Sequence, residues 1–106
     1  MTFKRSRHYI HSAGHRAYVE VIYPRSPARS AVIFCGGLRS HTPGFLNNFA
    51  LAAAKVGYIA VKFDFVGTGR SDGRFEDKLT SVMLKNLEDV IDFTARLPGI
   101  KRIGVV

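Results

Sequence analysis

Two stretches of this 106-residue chain gather residue types that do chemistry in loops. One is Gly36-Gly37-Leu38-Arg39-Ser40-His41, and the other is Gly67-Thr68-Gly69-Arg70-Ser71-Asp72-Gly73, with Asp64 just ahead of it. Glycines between a strand and a helix let backbone N–H groups close on a phosphate, so a dinucleotide or phosphate site is the first chemistry to test. The spacing fails. A G-x-G-x-x-G match from Gly67 needs glycine where Asp72 stands, Gly73 comes one residue late, and no G-x-x-x-x-G-K-[ST] occurs. Asp64 and Ser71 invite a second reading, as catalytic acid and nucleophile at a strand's carboxyl end. Against it, Asp and Ser in glycine loops commonly hydrogen-bond the nearby backbone.

The remaining reactive side chains form no constellation. Cys35 closes an apolar run with no base identifiable beside it, which fits inert packing better than a reactive thiol. His8 and His11 lie three apart on a strand and point to opposite faces, and His11 and His15 straddle a turn without a carboxylate or cysteine cluster. No metal site and no cofactor is expected from them. Arg39 and His41 sit in the first glycine loop, where contact with a substrate and plain solvation are equally open.

Positioning these loops requires strands that end at them. Residues 7–11 and 16–23 read as an antiparallel hairpin across Ser12-Ala13-Gly14-His15, with Ala17, Val19, Val21 and Tyr23 alternating against Arg16, Tyr18 and Glu20. After a proline-punctuated loop, Ala31 to Cys35 is a continuous apolar run, as in strands covered on both faces. Thr42-Pro43 suits the start of a helix carrying Phe45, Leu46, Phe49, Ala50, Ala53 and Ala54, and Gly57 suits its stop. The spacing predicts a further strand from Tyr58 to Val66, with Lys62 and Asp64 on one face and Ile59, Val61, Phe63 and Phe65 on the other. Leu84, Leu87, Val90, Ile91 and Leu97 recur at helical spacing from about Ser81 to Leu97, and Arg102 to Val106 opens another apolar strand. Hairpin, strand, helix, strand, helix, strand argues an α/β class with a mostly parallel sheet and right-handed crossovers.

Composition bounds the rest. With 46% hydrophobic and 23% charged residues the chain has an ordinary globular balance, and its length suits one domain. The basic start, Met1 to His8, is followed by no apolar segment, and no run approaches the roughly 18 apolar residues of a membrane span, so a cytoplasmic, membrane-free protein is expected. A single cysteine fits a reducing compartment. The net charge of +8 is concentrated at the front, where residues 1–62 carry nine Lys or Arg against Glu20 alone. Lys4, Arg5, Arg7 and Arg16 could meet phosphates. Without a helix-turn-helix, zinc-finger or RNP-like pattern, a solvated basic edge is the preferred account, and no nucleic-acid partner is expected.

Taken in order, these motifs resemble the α/β-hydrolase family. Val32-Ile33-Phe34-Cys35-Gly36-Gly37-Leu38 is similar to the strand and His-Gly loop that supply half of that family's oxyanion hole, with Cys35 where histidine is usual. Val61 to Gly73 resembles its aromatic-Asp-x-x-Gly-x-Gly-x-Ser signature, and Arg74-Phe75-Glu76-Asp77 is similar to the bacterial cinnamoyl and feruloyl esterase branch and its serine-aminopeptidase-like relatives.

The resemblance implies the N-terminal half of an α/β-hydrolase, residues 1–106 forming one partial domain that ends at the strand before a G-x-S-x-G nucleophile elbow. Gly37 takes the oxyanion-hole N–H position, while Gly36, Leu38, Asp64, Gly67, Gly69 and Ser71 shape the loops. The nucleophile, the acid and the histidine would all come later, so the chain alone is expected to be inactive. The parent is expected to hydrolyse carboxylic esters or related acyl compounds, taking a small acyl substrate. The last strand, left as an open apolar edge, is expected to promote self-association. A noncatalytic α/β binding module and a basic nucleic-acid-binding domain are the alternatives.

Overall fold

A computed structural model describes residues 3–35, 43–67, 70–73 and 80–106. The chain starts with strands β1 (Arg5–Ser12) and β2 (His15–Ile22), paired antiparallel from Arg5↔Ile22 to Ser12↔His15. Only Ala13 and Gly14 separate them, at φ of 51° and 79°. Positive φ at both central residues is the geometry of a type I′ turn, whose twist matches that of the flanking strands. The hairpin is therefore longer and its loop tighter than expected from the sequence.

Strand β3 (Ser30–Cys35) leads to helix α1 (Pro43–Lys55), and strand β4 (Ile59–Phe63) to helix α2 (Thr80–Ala95), before strand β5 (Arg102–Val105). The strand order is β1-β2-β4-β3-β5. β2 meets β4 antiparallel, whereas β3 runs parallel to both β4 and β5. An antiparallel hairpin thus continues into a parallel sheet, the α/β arrangement expected. β4 is shorter than expected, ending at Phe63, although the Asp64 N–H still donates to Tyr18 O and Phe65 and Val66 stay buried.

Alternation along the strands feeds two cores. Val19, Val21, Ala31, Ile33, Val61 and Phe63 face the α2 side, where Val90 joins them. On the other face Ile22, Phe34 and Ala60 receive Ala50 and Ala54 of α1. Small alanines bring that helix close to the sheet, while Phe49 is half exposed. Helix α1 ends as a Schellman motif. Gly57 has φ of 100°, its N–H donates to Ala54 O, and the Tyr58 N–H donates to Ala53 O.

Helix α2 departs from its apolar reading in phase. Its fully buried residues are Asn86, Val90 and Thr94, four apart, whereas Leu84 is 62% exposed. Thr94 is satisfied within the helix, donating to Val90 O at 2.7 Å. Asn86 is satisfied outside it, by Val66 just after β4 and by Ser12 at the end of β1.

Candidate active site

The ends of β3, β4 and β5 lie side by side because these strands are parallel and adjacent. The Val106 N–H donates to Ile33 O at 2.9 Å and the Cys35 N–H donates to Val106 O at 3.2 Å, so the chain leaves β5 beside the residue that precedes Gly36. Gly36, Gly37, Leu38 and Gly69 themselves lie outside the described residues, as do Arg39, His41 and Thr42.

The loop after β4 is described on both sides of its tip, and every anchor is a specific hydrogen bond. Asp64, buried, donates its N–H to Tyr18 O at 3.0 Å, and its Oδ2 accepts the Arg70 N–H at 3.0 Å. The Ser71 hydroxyl donates to Asp64 O and accepts the Tyr18 N–H at 2.7 Å. One serine thereby ties the loop's far side both to its own start and to β2. The Gly67 N–H, at a φ of 86°, donates to Asp72 O at 2.8 Å, which closes the loop on itself. The Asp72 N–H then reaches Arg16 O at 2.8 Å, and the Arg16 guanidinium returns two hydrogen bonds to the Asp72 carboxylate, at 2.8 and 3.3 Å. That hydrogen bond, more than the accompanying charge, holds the Asp72 carboxyl below its ordinary range. Gly73 must be glycine here: its φ is 95°, and a Cβ would stand 2.8 Å from Val66 Cγ1.

Two residues that sequence reasoning missed organise this loop. Tyr18 engages it with its N–H and C=O, and also through its ring, which lies 5.3 Å beneath the Arg70 guanidinium while its hydroxyl oxygen accepts from Arg70 Nη1 at 3.2 Å. Asn86, on α2, accepts the Val66 N–H at 2.9 Å and donates to Ser12 Oγ at 2.7 Å. A polar residue inside an otherwise apolar helix stripe was the available signal for Asn86.

The chemistry open to these groups follows from their bonding. A serine nucleophile needs a base to take its proton, but the Ser71 proton goes to a backbone carbonyl and its lone pair to a backbone N–H. Burial pushes the Cys35 thiol up, away from the reactive thiolate. His8 bonds Ser6 Oγ at 2.8 Å and packs its ring on Phe93. Among the described residues no group of three or more His, Cys, Asp or Glu could hold a metal ion, and no helix is long and apolar enough to cross a membrane.

Part of the basic front of the sequence is taken up in ion pairs. Buried Glu20 receives Lys62 Nζ at 2.8 Å, Arg7 Nε at 3.3 Å and Arg5 Nη1 at 3.5 Å. Burial pushes its carboxyl up, but the hydrogen bond and charge of Lys62, aided by Arg5 and Arg7, outweigh this and hold it below the usual carboxylate range. Of the four cations nominated for phosphates, three pair with carboxylates: Arg5 and Arg7 with Glu20, and Arg16 with Asp72.

No family model and no curated protein matches the chain. Solved structures do. Est1E from Butyrivibrio proteoclasticus, in its structure with bound ferulic acid, superposes with a TM-score of 0.83 at 22% identity, over 93% of this chain and 41% of its own. The Pyrococcus furiosus esterase Pf2001 gives 0.77 at 20% identity, over 97% and 39%. An alpha-beta serine hydrolase homologue from Coxiella burnetii gives 0.75 at 20% identity, over 99% and 51%. The chain thus spans about half or less of the length of these proteins. At such identities the likeness is one of fold, and it covers the hairpin, the parallel strands and both helices. The chain has the α/β-hydrolase fold, matched over part of the length of those proteins.

Proposed function

We propose that these residues are the front half of a serine hydrolase acting on carboxylic esters or related acyl compounds. The observation that carries this reading is the pairing of β5 with β3, which puts Val106 against Cys35. In α/β-hydrolases a nucleophile elbow follows one strand, and an N–H from a neighbouring strand-to-helix loop completes the oxyanion hole. A serine carried on chain following Val106 would emerge beside Gly36 and Gly37. Its Oγ would add to the acyl carbon as a base takes its proton. The oxyanion would accept the Gly37 N–H, and the alcohol would leave with a proton, giving an acyl-enzyme that water hydrolyses. Losing one such donor typically costs about 2.7–4 kcal/mol of transition-state stabilisation. The Asp64–Gly73 loop is a fixed wall in this reading, and it takes no part in proton transfer.

The 106 residues by themselves are inactive in the same reading. They also self-associate through β5, an edge strand among the described residues where Val105 is 46% exposed. A fluorophosphonate probe, which phosphonylates activated serines with loss of fluoride, tests the catalytic part. The expected result is no labelling of the 106-residue chain and labelling of a serine beyond Val106 in the longer gene product. Labelling at Ser71, or a longer product that resists the probe, overturns the proposal.

A further inference from the structure

The amino ends of β3, β4 and β5 meet at the end of the sheet away from the Asp64 loop. There the Tyr23–Arg29 loop and the Leu97–Lys101 turn flank Ile59 and border an open cleft of about 770 Å³. That lies within the roughly 300–1,000 Å³ of small-molecule sites. Its walls are held in place by the chain itself. The N–H groups of Lys101 and Arg102 both donate to Arg29 O, at 2.7 and 3.1 Å, and Pro24, Pro27 and Pro98 fix backbone angles on both sides.

The lining combines an apolar surface, from Tyr23, Ile59 and Leu97, with the cations Arg25, Arg29 and Lys101, and it includes no acidic residue. Other cations of the molecule have carboxylates at hand: Glu20 gathers three, Asp72 takes Arg16 and Asp89 takes Lys85. The Arg25 guanidinium lies 5.5 Å over the Phe3 ring, towards a neighbouring hollow. Arg29 and Lys101 make no ion pair among the described residues. Two unmatched cations beside a preformed apolar wall favour a ligand with a charged head and an oily body.

We infer that this cleft binds an organic anion with an apolar body, its carboxylate or phosphate at Arg29 and Lys101 and its alkyl or aryl part against Tyr23, Ile59 and Leu97. The site is independent of the acyl-transfer reading, since it uses the opposite ends of the strands.

Titrations with octanoate and octyl phosphate, read by backbone amide shifts, test it, with octanol and acetate lacking the charge and the apolar body respectively. Both anions are expected to saturate, with shifts clustered at Tyr23, Arg29 and Leu97 to Lys101; octanol should bind at least about tenfold more weakly and acetate should not saturate. The tighter of the two anions identifies the headgroup. Combining Arg29→Gln with Lys101→Gln should weaken both anions at least about tenfold, whereas Lys85→Gln with Arg96→Gln, the same change in net charge on and just after α2, should leave them within about twofold. Failure of both anions to saturate, shifts scattered over the surface, or equal losses in the two double variants would overturn the inference.

Discussion

Asn86 shows how one side chain can fix a loop that it is not part of. Its amide bridges the Val66 N–H and Ser12 Oγ in a fully buried setting, so Asn86→Ala strands both partners away from water. A loss of about 2–4 kcal/mol is expected, read as a lower urea midpoint at constant slope. Glu20 makes a different point about burial. Its folded carboxyl sits below the ordinary value of 4.5, so the stability it contributes is fully present above that pH and is lost as pH falls below it through the folded value. Glu20→Gln should remove that acid-side dependence. It should also cost about 2–4 kcal/mol at neutral pH, because a neutral amide replaces the buried carboxylate that Lys62, Arg5 and Arg7 share. Denaturant titrations from neutral to acid pH check both outcomes, and an unchanged pH profile in the variant would count against the ion-pair account.

At the scale of elements, the hairpin turn carries a correctable flaw. Ala13 occupies a φ of 51°, where a Cβ is disfavoured and asparagine or glycine is at ease. Ala13→Asn should therefore raise stability by about 0.5–1 kcal/mol, measured by thermal or urea unfolding. Helix α2 illustrates how an element's existence and its orientation separate. Apolar spacing locates the helix, yet its buried line runs through Asn86, Val90 and Thr94 and leaves Leu84 outside. The rotation follows the partners available: Val66 and Ser12 offer hydrogen bonds that a leucine at the same position could not make.

For the molecule as a whole, the open question of association sits at β5. Among the described residues β5 is an edge strand with Val105 half exposed, and an open edge of that kind can template pairing with another chain. The proposed self-association should appear as a concentration-dependent sedimentation coefficient of the 106-residue chain. Val105→Lys should suppress it while changing stability by no more than about 0.5 kcal/mol. A monomer at all concentrations would sink the proposal. Charge also resolves only at this scale. The excess over residues 1–62 looks like one basic front in the sequence. In the folded chain Arg5, Arg7, Arg16 and Lys62 pair with carboxylates, while Arg29 joins Lys101 at the amino ends of the strands.

What the sequence determined by itself is everything that local periodicity and turn chemistry govern: the hairpin, the apolar strand at Ala31 to Cys35, the two crossover helices, the glycine stop at Gly57 and the turn at Gly67. Each is encoded within one stretch of chain, in spacings of two or about 3.6 residues and in residues suited to positive φ. The insertion of β4 between β2 and β3, the contact of Val106 with Cys35, the anchoring of the Asp64 loop by Tyr18 and Asn86, and the pooling of Arg29 with Lys101 were decided by tertiary structure. Those pairings join residues as many as 74 positions apart. Their free energy depends on which polar groups are buried together, which no local pattern records.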